Sequence, residues 1–459
     1  MTRPRRSGSP SSPWRSRRQF LATAGATAVA GLLAGCGGRS GGSADSQSES
    51  QSTPAPTPAA DPTVTATATP APTGLPGTYF VDPVKGDDEF AGNHPDSAFA
   101  TLQPLTTNGR VDLRPGDVVK LRATAPIVIE DNVDFYLVKA RPDDPIVVEP
   151  YGDGRPVIDA SDVEGSAIRM EGAQYMTLRG FELKNAGSDG IQVPGAANGS
   201  QQAIGCVFED LLVHHYGQGD STEGNGIGFY RDSYDHVVRD VVCHHGAVDD
   251  NSDGFYIGGQ NRRFSGGHRF ERCVAYRNAD DGFDFFRCAP ERPSTLVDCV
   301  AFGNGRDGEG ATGDGNGFKM GGGWRTGGNH VVRGRSYGND AIGFDCNGAS
   351  AANTFDNCTA YDNGTYGFEF TGDTDPDHVV RNCIAFENSE GPANLLYNAR
   401  SEANTWDLDI DDPAFASVTA AADAFLHLTA DSPCVDAGID IGVSYVGSAP
   451  DLGAFEFRP

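Results

Sequence analysis

Two stretches decide the fold, Asp281-Gly282-Phe283-Asp284-Phe285 and Asn316-Gly317-Phe318-Lys319-Met320. Each reads polar residue, Gly, apolar residue, variable residue, apolar residue, and this alternation with period two is typical of a β-strand. From about Gly180 onward the element recurs, with its Gly spaced 36, 28, 28, 35, 26 and 24 residues apart. The other copies are Asp189-Gly190-Ile191-Gln192-Val193, Asn225-Gly226-Ile227-Gly228-Phe229, Asp253-Gly254-Phe255-Tyr256-Ile257, Ile342-Gly343-Phe344-Asp345-Cys346 and Tyr366-Gly367-Phe368-Glu369-Phe370.

A second alternating element follows most of these copies and ends in Asn. It occupies 273–278, 299–304, 358–363 and 383–388, each beginning with Cys, and a variant without Cys ends at Asn339. Two or three short strands in each unit of roughly 25 residues, punctuated by Gly and Asn, are the signature of a parallel β-helix. Because no unit contains a stretch with period 3.6, helical repeats are excluded. The sequence therefore predicts an all-β, right-handed parallel β-helix.

Successive turns of such a solenoid, here called rungs, place equivalent residues about 4.8 Å apart. The Phe of the first element is then expected to form an inward aromatic stack, and the Asn of the second an amide ladder. The Cys residues should fill the interior as small apolar groups. A disulfide or metal framework is the alternative for them, and their even, rung-length spacing argues against it.

The N-terminal 76 residues predict export and anchoring. Ser16-Arg17-Arg18-Gln19-Phe20-Leu21 and the apolar run that follows resemble a twin-arginine signal. Residues 33–36 resemble a lipobox whose lipidated residue is Cys36; a plain secretory signal with an incidental Cys is the alternative. Residues 36–76, mostly small and polar, predict a disordered tether. We therefore expect a signal over 1–35 and a β-helix domain over 77–459. The domain would be lipid-anchored at the outer face of the cell membrane, or extracellular, and monomeric.

The formal charge of the chain, −28, falls to about −34 once residues 1–35, with six Arg and no acid, are removed. A charge of this sign makes nucleic acid an unfavourable partner. It also repels an acidic polysaccharide unless a metal ion or a local Arg cluster intervenes.

The variable residue of the first element is expected to point out of the solenoid. Rung by rung this outward column reads Tyr256, Asp284, Lys319, Asp345 and Glu369. As structure alone, the column would be a surface salt-bridge ladder.

Four acidic residues gather around Lys319 in this arrangement. Three begin the strand on the neighbouring rung and one takes the equivalent position a rung earlier: Asp280, Asp281, Asp284 and Asp253. Carboxylates this close cannot all stay ionised without a cation, and an all-oxygen, charged ligand set suits Ca²⁺. A solvated turn is the alternative, and Asp249 or Asp250 could replace Asp253.

An insertion rich in Gly and Asp, residues 305–315, lengthens one rung and predicts a cleft wall beside Lys319. The run 321–323 that follows could offer an open backbone to a sugar acid, or be only a corner between strands. Three side chains in this region are candidates for substrate binding: Arg287, Trp324 and Arg325.

Residues 278–286, Asn-Ala-Asp-Asp-Gly-Phe-Asp-Phe-Phe, and 315–322, Gly-Asn-Gly-Phe-Lys-Met-Gly-Gly, together resemble the pectate lyases of polysaccharide lyase family nine. The resemblance covers essentially the whole domain after the tether. It implies that Lys319 takes a proton and that Ca²⁺ is bound by an Asp-Asp-x-x-Asp run plus one Asp of the preceding rung. Carried over, these ligands are Asp280, Asp281, Asp284 and Asp253. Residues 286–288 and the 305–315 insertion have no place in the family pattern, which leaves the substrate subsites open.

The implied reaction is Ca²⁺-dependent β-elimination, in which loss of the C5 proton of a uronate precedes cleavage at O4. Lys319 is a useful base only if its pKa falls; the flanking carboxylates alone would raise it, and a nearby divalent cation reverses that sign. No donor to O4 is evident, although Arg287, Arg325 or water could serve.

Two other functions stay open at this point. A β-helix glycoside hydrolase would use paired acids without a metal ion or a Lys. A non-catalytic, surface glycan-binding protein is also compatible with the fold. The identity of the uronate polymer, and endo or exo action, are not fixed by the sequence.

Overall fold

A computed structural model of the chain describes residues 77–219, 223–247, 251–259, 263–306, 313–323 and 326–458. Within these ranges there are 34 strands, no α-helix, and three short 3₁₀ helices, Pro95–Ser97, Gln103–Leu105 and Leu396–Asn398. Among the same residues, no helix has the length and hydropathy that a bilayer span requires. The predicted signal, Cys36 and the tether lie outside the described residues.

Three sheets of parallel strands form the walls of the solenoid, and most rungs give one strand to each sheet. The first sheet contains Thr78–Val81, Val118–Arg122, Ile146–Tyr151, Met176–Arg179, Val207–Glu209, Val237–Arg239, Arg269–Glu271, Thr295–Val297, His330–Val332, Thr354–Asp356, His378–Arg381 and Ala399–Glu402. The second contains Ile127–Val128, Val157–Asp159, Glu182–Lys184, Leu212–His214, Val242–His244, Val274–Tyr276, Val300–Phe302, Arg335–Tyr337, Thr359–Tyr361 and Ile384–Phe386.

The third sheet carries the first sequence element. Its strands are Val133–Asp134, Ile168–Arg169, Ile191–Val193, Ile227–Phe229, Phe255–Ile257, Phe283–Asp284, Phe318–Lys319, Phe344–Asp345, Tyr366–Glu369 and Gly391–Asn394. A separate two-stranded ribbon pairs Ala203–Ile204 with Ser233–Tyr234. The predicted parallel β-helix is thus confirmed, and its rungs begin well before Gly180. The two earliest strands of this sheet follow Asn132 and Ala167 rather than Gly, so the sequence element does not reveal them.

Inside the solenoid, an aromatic stack forms as predicted. Five buried rings lie face to face on successive rungs, with centroids 4.8, 4.7, 4.9 and 4.8 Å apart: Phe255, Phe283, Phe318, Phe344 and Phe368. This spacing matches the distance between parallel strands, so the stack and the sheet share one register.

The predicted Asn ladder is also present. The Nδ2 of Asn278 donates to Oδ1 of Asn304 at 3.0 Å, and each amide then donates to the next through Asn339, Asn363 and Asn388, at 2.9, 3.0 and 2.9 Å. Satisfying buried amides in this way fixes the turn between the second and third sheets. The predicted interior Cys residues are buried and unbridged: Cys273, Cys299, Cys358 and Cys383.

Candidate functional site

The outward column of the third sheet has the predicted register. Backbone pairing joins Tyr256 to Asp284, Asp284 to Lys319, Lys319 to Asp345 and Asp345 to Glu369. The alternative of a surface salt-bridge ladder is wrong, because Asp284, Lys319 and Asp345 are only 6, 8 and 6 % exposed. From the insertion, Asp314 contacts Lys319 at the centre of the column.

Lys319 lies at the centre of a group of carboxylates. Its Nζ is 3.0 Å from Oδ2 of Asp281 and 3.5 Å from Oδ2 of Asp284, and it donates a hydrogen bond to Oδ2 of Asp314 at 2.9 Å. Asp345 occupies the next rung, yet within the described part of the chain it forms no ion pair with Lys319. The ammonium group therefore faces the acidic rung before it rather than bridging two rungs of a ladder.

Two of the acidic side chains in the cluster, Asp253 and Asp281, are held in place by hydrogen bonds from the backbone. In the first copies of the element, the Asp or Asn before the Gly accepts, through Oδ1, the backbone N–H of the equivalent residue on the next rung. This Asx spine runs through Asp189, Asn225, Asp253, Asp281 and Asn316, with N···O distances of 2.8, 3.0, 2.9 and 2.6 Å. Asp253 and Asp281 thus each commit one oxygen to the fold and keep the other for the site.

Three of the four predicted metal ligands come together. Asp253, Asp280 and Asp281 each place a carboxylate oxygen within 4.8 Å of the others. Asp284 is not part of that group, but it lies beside it as a partner of Lys319, and its buried Oδ1 has no hydrogen-bond partner among the described residues. Asp249 and Asp250, the alternatives to Asp253, lie outside the described residues.

The electrostatics of the cluster call for a cation. Burial, and then the neighbouring Asp280, raise the pKa of Asp253 well above its usual range. Burial also raises the pKa of Asp284 well above that range, against the lowering effect of Lys319. Burial and Asp281 bring the pKa of Asp280 to about 7. An unpartnered buried oxygen in an all-oxygen, charge-rich donor set fits Ca²⁺, a hard cation that carboxylates bind well.

Lys319 is held in its charged form by the same group. Burial alone would lower the pKa of Lys319, but the neighbouring carboxylates, with Asp284 and Asp281 first among them, together outweigh burial and raise it. Without a divalent cation the amine is therefore a poor proton acceptor, as the sequence argument anticipated.

The insertion folds back onto the cluster at its C-terminal end. The Gly313 N–H donates to the carbonyl of Ala279 at 2.7 Å, and the Asp314 N–H donates to Oδ1 of Asp280 at 2.6 Å. Asp314, whose side chain is 67 % exposed, thereby touches both a candidate ligand and Lys319. The sequence did not predict a role for Asp314, because the insertion has no counterpart on other rungs. The only indication in the sequence was that Asp314 lies five residues before Lys319.

The candidates for substrate binding are only partly described. The Arg287 guanidinium lies 4.8 Å from the ring centre of Phe286, and its buried Nε has no hydrogen-bond partner among the described residues. Trp324 and Arg325 lie outside the described residues. Gly321 and Gly322 are buried, and a Cβ on Gly322 would lie 2.5 Å from the Phe286 ring. The Gly run is therefore mainly a tightly packed corner rather than the open backbone considered above.

Comparison with known proteins places this geometry in a family. The family model described as "Pel9A-like, right handed beta helix region" matches residues 91–373. The chain belongs to the Pel9A-like β-helix family. The predicted right-handed β-helix and the resemblance to pectate lyases of this type are both confirmed.

Two curated relatives are similar to this chain over most of their length. Pectate lyase L of Dickeya chrysanthemi is 30% identical over 376 residues, which cover 74% of this chain and 83% of the relative. Pectate lyase L of Dickeya dadantii (strain 3937) is 32% identical over 342 residues, covering 68% and 75%. The predicted enzyme class, a polysaccharide lyase, agrees with these relatives.

Solved structures give the same result. The crystal structure of pectate lyase Pel9A superposes with a TM-score of 0.68 at 25% identity, covering 83% of this chain and 96% of Pel9A. A rhamnogalacturonan lyase superposes with a TM-score of 0.62 at 22% identity, covering 77% and 97%. At that identity the second likeness concerns the fold alone.

Proposed function

We propose that this protein cleaves a uronate-containing polysaccharide, pectate first among them, by Ca²⁺-dependent β-elimination with Lys319 as the base. The observation that carries the proposal is the position of Lys319 Nζ, between Asp281 and Asp284 at one edge of a buried, all-oxygen ligand group. Membership of a family whose curated members are named pectate lyases supports the substrate class.

The residues that would hold the ion are Asp253, Asp280, Asp281 and Asp284. When bound, Ca²⁺ would supply positive charge that attracts the uronate carboxylate and stabilises the negative charge developing beside C5. The Asx spine fixes Asp253 and Asp281 through the backbone of the next rung, so these ligands need little reorganisation to bind a cation.

Lys319 would accept the C5 proton through Nζ. Once the aspartates are committed to a cation, they no longer hold the ammonium in its charged form, and a neutral amine becomes accessible. Asp314, still hydrogen-bonded to Nζ, would orient the amine from the solvent side of the site. Loss of the proton at C5 and rupture of the bond to O4 would then leave a 4,5-unsaturated sugar at the new non-reducing end, and the departing O4 would take a proton from water.

Incubation with polygalacturonate tests this proposal. With Ca²⁺ we expect a rise in ultraviolet absorbance from the conjugated product, and none after chelation. Cleavage that survives chelation and gives saturated ends would instead indicate a glycoside hydrolase with paired acids. Binding of the polymer without any product would indicate a glycan-binding protein, and the absence of product from any tested polyuronate would refute the lyase proposal.

Asp314 offers a second, finer test. In Asp314→Asn we expect kcat to fall about 3- to 10-fold with KM nearly unchanged, because a charge-assisted hydrogen bond to Nζ is weakened while the ligand group stays intact. Asp298→Asn is the matched control, since Asp298 pairs with Arg333 in the partly exposed turn between the first and second sheets, away from the third. Equal rates for both variants would remove Asp314 from the positioning of Lys319.

Export and anchoring complete the proposal. We propose that the chain leaves the cell by the twin-arginine route and is held at the outer face of the membrane through a lipid on Cys36. The domain would act there as a monomer on an acidic polysaccharide. Mass analysis of the mature N-terminus, before and after replacement of Cys36 by Ser, would show whether a lipid is attached at this residue.

A further inference from the structure

Four His side chains gather on the outside of the second sheet, on two adjacent rungs. His214 and His244 end the strands Leu212–His214 and Val242–His244, and the two are paired in register. His215 and His245 follow them, both in the left-handed region, with φ of 55° and 58°. The sequence shows the same His-His doublet twice, 30 residues apart.

Each doublet turns two ring nitrogens toward each other. Nδ1 of His214 is 2.6 Å from Nδ1 of His215, and Nδ1 of His244 is 2.5 Å from Nδ1 of His245. Between the rungs the rings stack, with centroids 4.9 Å apart for His214 and His244 and 5.0 Å apart for His215 and His245. The four imidazoles therefore form a two-by-two array, here called the His array, in which nitrogens face each other within each pair.

A carboxylate fixes the tautomer of one ring. Oε1 of Glu182 lies 3.2 Å from Nε2 of His214. An ionised carboxylate only accepts hydrogen bonds, so Nε2 carries the proton and the Nδ1 lone pair points at His215. Nδ1 of His214 therefore accepts a hydrogen bond from Nδ1 of His215. A His that donates one ring nitrogen to a carboxylate, and so presents the other as an acceptor, is the usual second-shell arrangement around a metal-bound imidazole.

The His array is accessible and distinct from the acidic cluster. The His215 side chain is exposed and that of His214 is 14 % exposed, so an ion can reach the facing nitrogens from solvent. Among the described residues, the charges near the array include Glu182, Arg277 and Lys184, and Lys184 is paired with Asp159 at 3.3 Å. The array lies on the second sheet, whereas Lys319 and Asp284 lie on the third.

We propose that the His array binds a late first-row divalent ion, of the class of Zn²⁺, Ni²⁺ or Cu²⁺, chelated by facing Nδ1 atoms. Imidazole nitrogen prefers these ions, whereas the oxygen-only cluster prefers Ca²⁺. With metal–nitrogen bonds of about 2.0–2.1 Å, two ligands of a tetrahedral ion lie about 3.3 Å apart, so each pair opens by less than about 1 Å through ring rotation.

Residues at equivalent positions on neighbouring rungs show which side chains can replace these His residues without disturbing the rungs. Asn185 occupies the left-handed position one rung earlier, with φ of 64°, so His215→Asn and His245→Asn preserve that turn. Tyr276 follows His244 in the stacked column, with ring centroids 4.6 Å apart, so His244→Tyr preserves the stack. His94→Asn is the matched control, an isolated His whose capping hydrogen bond from the Asp96 N–H Asn can also accept.

The test is calorimetric titration of Ni²⁺ into the full chain in saturating Ca²⁺. We expect saturable binding that weakens at least 10-fold in the double variant His215→Asn/His245→Asn and in His244→Tyr, and is unchanged in His94→Asn and Asp281→Asn. With Cu²⁺, electron paramagnetic resonance should show hyperfine coupling to at least two imidazole nitrogens. Unchanged Ni²⁺ affinity in both His-array variants, or a wild type that binds no better than they do, would overturn the proposal; loss of binding in Asp281→Asn alone would assign the ion to the acidic cluster.

Discussion

Lys319→Ala is expected to lower kcat on polygalacturonate by about 10³-fold or more, while Ca²⁺ binding survives. General-base catalysis contributes about 10²–10⁴ to a rate, and no other described amine or imidazole lies within reach of the acidic cluster to replace it. Initial rates by ultraviolet absorbance and Ca²⁺ affinity by calorimetry would be measured on the same preparation.

Lys319→Arg separates proton transfer from charge pairing. Arg keeps a positive charge near Asp281 and Asp284, so the fold should be retained, but a guanidinium cannot be deprotonated at working pH. We therefore expect the Arg variant to be as inactive as the Ala variant. If Lys319→Arg kept more than about a tenth of the wild-type rate, Lys319 would act through its charge and not as a base.

Removal of Ca²⁺ is expected to destabilise the protein strongly at pH 8 and hardly at pH 5. The pKa values of Asp253, Asp280 and Asp284 are raised in the metal-free fold, so ionisation favours the unfolded chain as pH rises from the usual Asp value through about 7. A bound cation removes that cost, and ligand at 100 times its Kd adds about 2.7 kcal/mol. The measurement is the difference in Tm with and without chelator at each pH.

Other titrations cancel in that difference. Burial lowers the pKa of His236 to about 3 and that of His268 well below its usual range. These groups destabilise the fold as pH falls below the unfolded value of about 6.5, but they do so with and without Ca²⁺. The Ca²⁺-dependent part of Tm should therefore report the acidic cluster alone.

Asp253→Asn supplies the matched variant for this experiment. Asn225 and Asn316 already occupy the spine, so an amide at 253 keeps the hydrogen bond from the Asp281 N–H while removing one ligand charge. We expect Tm in chelator to be unchanged or higher and the Ca²⁺-dependent gain at pH 8 to shrink. A full gain in this variant would mean that Asp253 does not bind the ion.

Much of the fold could be predicted because, in a solenoid, the repeated sequence elements determine which residues pair on successive rungs. The Gly element placed Asp284 beside Lys319, and the Asn of the second element gave the ladder through Asn304. Contacts between equivalent positions on adjacent rungs could therefore be predicted by counting along the repeat. The rungs before Gly180 were not recognised by their repeat, because Asn132 and Ala167 stand where later rungs have Gly.

The rest of the site depends on segments without a repeated counterpart. Asp314 approaches Lys319 only because its insertion folds back on Asp280, and no periodicity encodes that path. The facing nitrogens of His214 and His215 follow from a left-handed residue after the strand, which the period-two pattern does not reveal.

The Asx spine has a consequence for how the active site comes into being. Asp253, Asp281 and Lys319 come from three consecutive rungs. Oδ1 of Asp253 and Oδ1 of Asp281 each accept a backbone N–H from the next rung, so these oxygens are not available to a cation. A slip of one residue in the second or third of these rungs would turn Asp284 or Lys319 inward and send a Phe outward. Catalytic competence would therefore arise in a single step, when the third rung docks. The recovery of enzyme activity during refolding would report when these three rungs are in register.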